Sequence, residues 1–148
     1  MFLGKDIIGI PVITVNDGRS IGRVKDLYLS TDCQTVAGIF LGTEGIFSRK
    51  SFLVGSEDIT TIGEDAVLVK HADVIHEEGN LVETEETWLR RDELQGRPVD
   101  TSGGTKVGRI GDVLIDGEGH VLGFTLGNVY VTGPIAENRS VSINTVLD

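Results

Sequence analysis

The chain has 148 residues, 39% of them apolar, and carries 13 basic against 23 acidic side chains for a net charge of −10. That charge opposes binding to nucleic acid and to anionic membrane surfaces, where lysine and arginine must neutralise phosphate. A single cysteine, Cys33, excludes an internal disulfide and a thiolate metal cluster.

Read in chain order, the sequence repeats itself. Ile7, Gly9, Pro11, Val12, then Ile21-Gly22-Arg23-Val24, Asp26-Leu27 and Leu29, then Ala37-Gly38-Ile39 and Leu41-Gly42 return as a second copy. The second copy reads Leu94, Gly96, Pro98, Val99, then Val107-Gly108-Arg109-Ile110, Asp112-Val113 and Ile115, then Leu122-Gly123-Phe124 and Leu126-Gly127. The offset falls from 87 to 86 to 85 residues, each loss in a turn-like segment where length changes cost little. The organisation expected is copy 1 over 1–70, an acidic linker over 71–91 and copy 2 over 92–148.

The local chemistry is that of strands. Ala66–Val69, Val121–Leu126 and Val129–Val131 are short and rich in β-branched or aromatic residues. They lie among glycine turns such as Asp17-Gly18, Gly103-Gly104 and Asp116-Gly117. The expected fold is all-β, two small antiparallel barrels in tandem. Ile21, Val24, Leu27, Leu29 and their counterparts Val107, Ile110, Val113, Ile115 are spaced 3, 3 and 2. With a glycine inside each run, that spacing predicts bulged, strongly coiled strands, with bulges near Gly22–Arg23 and Lys25–Asp26 and at the same places in copy 2. In the linker, Glu83–Arg91 fits two turns of helix, acids first and bases last, and fits an extended segment nearly as well.

Leu94–Asp100, Val107–Asp116 and Gly119–Phe124 together resemble a PRC-barrel domain, and copy 1 resembles it through to Val69. The resemblance covers about residues 3–70 and 92–148. It implies a small β-barrel that docks on other macromolecules. Relatives include the cytoplasmic domain of the photosynthetic reaction-centre H subunit and the C-terminal domain of the ribosome maturation factor. It supplies no catalytic residues. The H subunit's membrane helix and the ribosome factor's N-terminal domain have no counterpart here. Copy 2 ends at Val146-Leu147-Asp148, where copy 1 continues through Thr61–Val69, so its last strand is expected to be missing and its vacant edge covered.

Candidate sites follow from the differences between copies. Ala37, Ile39 and Leu41, with Leu122, Phe124 and Leu126, are expected to face the interior, and Val36 and Phe40 the opposite face. Phe40, with Phe47 and Phe52, is therefore the expected interaction surface, packing on copy 2, on a second chain or on a client. The alternative places Phe40 under the Gly42–Phe52 loop. Asp26 and Asp112 read as bulge or turn acids that accept backbone hydrogen bonds. Arg23 and Arg109 read as solvent-facing or salt-bridged, and Cys33 as a solvent-touched turn thiol. His71, Asp73, His76, Glu77 and Glu78 have metal-ligand chemistry but match no established spacing, and read as a solvated acidic linker.

The function expected is a non-enzymatic, cytoplasmic protein-docking or scaffold module that self-associates, with no cofactor, metal, nucleic-acid contact or membrane insertion. The alternatives are a ribosome- or RNA-maturation factor, and a small-ligand or metal-binding protein using the linker cluster.

Overall fold

The computed structural model describes residues 1–44, 50–78, 88–100, 103–104, 106–129 and 140–142. The fold is all-β. Fourteen strands form three sheets among the described residues, and the two α-helical segments are single turns. Copy 1 contributes β1 (Phe2–Leu3), α1 (Gly4–Ile7), β2 (Pro11–Thr14), β3 (Ser20–Arg23), β4 (Asp26–Leu29), β5 (Val36–Glu44), β6 (Lys50–Gly55), β7 (Ile59–Ile62) and β8 (Val67–Val69). After β9 (His76–Glu77) and β10 (Leu89–Arg90) come α2 (Arg91–Leu94), β11 (Pro98–Asp100), β12 (Lys106–Ile115), β13 (Val121–Val129) and β14 (Ser140–Ser142). No helix among the described residues is long and apolar enough to cross a membrane.

The pairing order of one sheet is β1-β12-β13-β14, with β11 also on β12, and that of the second is β10-β4-β5-β6-β9. The third runs β3-β2-β8-β7 and contains one parallel pair, β2 with β8. A wholly antiparallel arrangement was the expectation. The parallel pair arises because the chain closes copy 1 by returning β8 alongside β2 after the β7 turn.

The copies exchange their first strands. β1 adds to the copy 2 hairpin, with Phe2 opposite Ile115 and Leu3 opposite Leu114. β10 adds to the copy 1 hairpin, with Leu89 opposite Leu29 and Arg90 opposite Tyr28. These pairings are equivalent under the sequence repeat, so the chain has an internal pseudo-two-fold. The hairpin turns meet across the same pseudo-axis. Thr35 bridges His120, Val36 N–H donates to the Gly119 carbonyl at 2.7 Å, and Val121 N–H donates to the Gln34 carbonyl at 2.8 Å. One hydrophobic core runs through both copies, from Ile7, Leu27 and Ile39 to Leu94, Val113 and Phe124. Sharing a core in this way answers the poor surface-to-volume ratio of two separate 60–70-residue units, an order of size at which burial is marginal.

Three of the four expected bulges are present, the first in each copy displaced by one residue from Gly22 and Gly108. Opposite β2 the extra residue is Ile21, and opposite β11 it is Val107. In β12 a further bulge falls at Gly111–Asp112. At the matching point in copy 1 the strand breaks at Val24–Lys25, and β3 and β4 join different sheets. A third pair of bulges, at Ala37 and Leu122, corrects the expected alternation. Because each adds one residue, Val36 and Val121 turn into the main core with Ile39 and Phe124, and Ala37 and Leu122 turn out of it. Leu122 is consequently 44% exposed.

Residues 83–87 of the linker lie outside the described residues, but Leu89–Arg90 is extended and helix begins only at Arg91. His76 and Glu77 are likewise strand, paired with Leu53 and Phe52, rather than solvated linker. Cys33 is buried at 2% exposure, not touched by solvent. It sits at φ 58°, the left-handed position that Gly119 occupies at φ 88° in the copy 2 turn. Among the described residues β11 pairs with β12 alone; residues 143–148 lie outside them, so the covering of that edge lies outside them too.

At Gly119 a side chain has room but costs backbone strain, since φ is 88°. Gly119→Ala is expected to lower stability by about 1–2 kcal/mol, the cost of a left-handed conformation for an L-residue, measured as the shift in a urea unfolding midpoint.

Candidate functional site: a buried carboxylate pair sharing one arginine

The two copies meet at Asp26 and Asp112, equivalent residues that are both buried. Each sits where its hairpin bends, and each Oδ1 accepts the next backbone N–H, from Leu27 at 2.8 Å and from Val113 at 2.7 Å. Each also caps the opposite copy's helical turn. Lys5 N–H donates to Asp112 Oδ2 at 2.9 Å, and Asp92 N–H to Asp26 Oδ2 at 3.4 Å. The backbone around the pair is therefore two-fold related.

The cation between them is not. Among the described residues Arg91 alone reaches both acids, with Nε 3.2 Å from Asp26 Oδ1 and Nη1 2.9 Å from Asp112 Oδ1. Its side chain is 13% exposed. The residue that repeats with Arg91 is Gly4. A Cβ built on Gly4 would stand 2.5 Å from Arg91 Cδ, 2.7 Å from Asp112 Oδ1 and 2.9 Å from Val113 Cγ1. Gly4 thus leaves the space that the Arg91 stem fills. Desolvation raises the Asp26 carboxyl above its ordinary value; the Leu27 N–H, Arg91 and the Asp92 N–H oppose this, and the Asp92 charge adds to it.

Arg23 and Arg109 brace the turns that follow α1 and α2. Arg23 Nη1 donates to the Gly9 carbonyl and Arg109 Nη1 to the Gly96 carbonyl, each at 2.8 Å. These arginines serve the turn backbone of their own copy.

Phe40 is 9% exposed and covered from within the chain. It packs edge-on against Tyr28 at 6.1 Å, and Arg90 places its guanidinium carbon 3.8 Å from the ring centroid. Trp88 completes the cluster, 5.7 Å from Tyr28 and over Gly38. The segment entering copy 2 covers Phe40 through Arg90; residues 45–49 of the Gly42–Phe52 loop lie outside the described residues. Phe52 is half-buried and lines a shallow groove with Ile21, Leu41 and Ile75. Phe47 lies outside the described residues.

His71 and Asp73 are exposed on a 3-10 turn, while His76 is in β9. Three ligand-bearing side chains do converge in the β12–β13 turn, where atoms of Asp116, Glu118 and His120 lie within 4.8 Å of one another. Asp116 already accepts the Glu118 and His120 N–H groups there, as an acid ordering a tight turn does. Burial is the largest single influence on its carboxyl and raises it. The His120 and Glu118 contacts together nevertheless hold it below the ordinary value.

Sequence reasoning paired Asp26 with Asp112 but missed Arg91. The signal was available: carrying the repeat alignment upstream sets Phe2-Leu3-Gly4 against Leu89-Arg90-Arg91, a glycine against an arginine beside two retained acids.

Arg91→Ala is expected to lower stability by about 3–5 kcal/mol, because it leaves buried carboxylates without their cation; chemical denaturation measures this. The pH dependence has a definite sign. A carboxyl raised on folding keeps its proton more tightly when native, so its contribution weakens as pH rises from the ordinary carboxylate value through the raised one. Asp26→Asn removes that dependence, and its stability relative to the parent is expected to improve between acid and neutral pH in a series of denaturant titrations.

Comparison with known proteins agrees with this two-fold plan. The PRC-barrel domain family model matches residues 1–79 and again residues 86–144. No curated protein matches the chain. Matched twice, over nearly its whole length and in two halves that mirror each other around Asp26 and Asp112, the chain belongs to the PRC-barrel domain family.

Proposed function

We propose that this protein is a non-enzymatic docking or scaffold module that also self-associates, acting in the cytoplasm. The observation that carries this reading is the way the copies join. Each hairpin edge accepts a strand from elsewhere, β1 on β12 and β10 on β4, which is recognition by strand addition. The buried titratable groups at the centre are engaged in holding that junction. Apolar side chains remain accessible to a client at the Phe52 groove on copy 1 and at Leu122 on copy 2. Leu122 occupies the place that Ala37 takes beside Trp88 in copy 1.

The test uses the full chain as bait in native extract, alongside Phe52→Asp and Leu122→Asp. A client retained by the parent and lost by either variant, at an unchanged unfolding midpoint, is the expected result. Sedimentation over a range of concentrations should show mass rising above the 15.9 kDa chain. A particle that stays at one chain and retains no client overturns the reading. Co-sedimentation with ribosomal subunits instead would favour the maturation-factor alternative.

A further inference from the structure

We infer that the Gly4–Arg91 asymmetry makes the copy–copy interface selective: copy 1 accepts copy 2, in the same chain or in a second one, and neither copy accepts its own kind. Two independent features exclude like pairing. Around the pseudo-two-fold, a copy 1–copy 1 junction would set Asp26 against Asp26 with Gly4 on both sides. Both carboxylates would then be buried without the guanidinium that Arg91 supplies at 3.2 and 2.9 Å. A copy 2–copy 2 junction would bring two arginines into the space of one. The site already places Arg91 Cδ 2.5 Å from where a Gly4 Cβ would be, with Asp112 Oδ1 and Val113 Cγ1 within 3 Å of the same point. Only the unlike junction has one cation, one gap and two acids.

The backbone contacts of the interface do not discriminate, and the Trp88–Arg90 cover on Tyr28 and Phe40 is a second unlike contact outside the buried site. The strand additions are equivalent in register. The carboxylate caps on Lys5 and Asp92 are equivalent, and so are the turn-to-turn hydrogen bonds at Val36 and Val121. The Gly4–Arg91 site combines an attractive and a repulsive element at one point, as specificity between similar partners requires. The arrangement permits two products. The chain can close on itself, or two chains can exchange copies reciprocally and keep both junctions unlike. This inference concerns pairing of the copies and does not depend on the docking role above.

The Thr35–His120 bridge reports which copies meet. The flanking bonds from Val36 to Gly119 and from Val121 to Gln34 make it a non-hydrogen-bonded antiparallel pair, with Cα atoms at about 4.5 Å, within reach of a disulfide. In a Cys33→Gly background, Thr35→Cys alone reports copy 1–copy 1 pairing as a covalent dimer, and His120→Cys alone reports copy 2–copy 2 pairing. The full-length variants are refolded from denaturant at high chain concentration, so that pairing in trans competes with the tethered partner, and then oxidised.

With Gly4 and Arg91 intact, neither single-cysteine variant should give more than trace dimer, while Thr35→Cys/His120→Cys should cross-link efficiently. Adding Arg91→Ala should raise both like dimers by about tenfold or more, the ratio of a modest difference in pairing free energy. Adding Arg91→Met, which keeps the stem and removes the charge, should raise the Thr35→Cys dimer and not the His120→Cys dimer. It also separates the two features if Arg91→Ala does not refold. Like dimers at equal yield with and without Arg91, including none in either case, overturn the inference. So does a His120→Cys dimer that forms freely while Arg91 is present.

Discussion

One guanidinium between two buried carboxylates is the constraint on which this structure depends. Asp26 and Asp112 must lie inside because each sits at the bend of a hairpin whose neighbours, Leu27 and Val113, are core residues. Each already satisfies two backbone donors, one in its own copy and one in the other. What remains is charge, and among the described residues a single cation balances it. Arg91 fits because its stem lies over Gly4, where a side chain would obstruct it. A polar centre of this kind is weak evidence for stability in itself. Its effect is on geometry: it fixes how the copies approach, down to the register of β1 and β10.

The strand exchange follows from the same geometry. α1 follows β1 directly and α2 follows β10 directly, so a carboxylate that caps the opposite copy's helical turn also positions the strand before it. The cap and the added strand act as one unit. That coupling explains why a two-residue strand, too short to hold its place by hydrogen bonds alone, takes up a defined register. The common core then extends across the junction, through Ile7 and Leu94, and the two halves bury more surface together than either has available alone.

The asymmetry of the covering aromatic cluster has a related origin. Trp88 and Arg90 precede α2 and lie over Tyr28 and Phe40, with Gly38 leaving room for the indole. The matching positions before α1 are Met1 and Leu3, and Met1 is exposed. Copy 1 has its outer hairpin face closed by the chain that leads into copy 2, and Leu122 on copy 2 stays open to solvent. The difference between the copies is thus a difference in what arrives from the segment ahead of each, imposed on hairpins of the same design.

Much of this was legible in the residues. The repeat, the strand chemistry and the glycine turns define an all-β pair of modules, and the 3, 3, 2 spacing locates three of the four expected bulges to within a residue, the fourth being a strand break, because period and turn propensity are local properties of the chain. The bulges at Ala37 and Leu122 were not legible, since a simple alternation reads equally well in either phase and only pairing with β4 and β12 selects one. Phe40 reads as outward-facing in isolation for the same reason; its cover lies far along the chain. Asp26, Asp112, Gly4 and Arg91 were all visible as letters, and the two acids as a matched pair. That a single arginine should serve both was decided by tertiary structure alone, because the sequence repeats along a line whereas the copies meet around an axis, and only there do a glycine and an arginine 87 residues apart compete for one place.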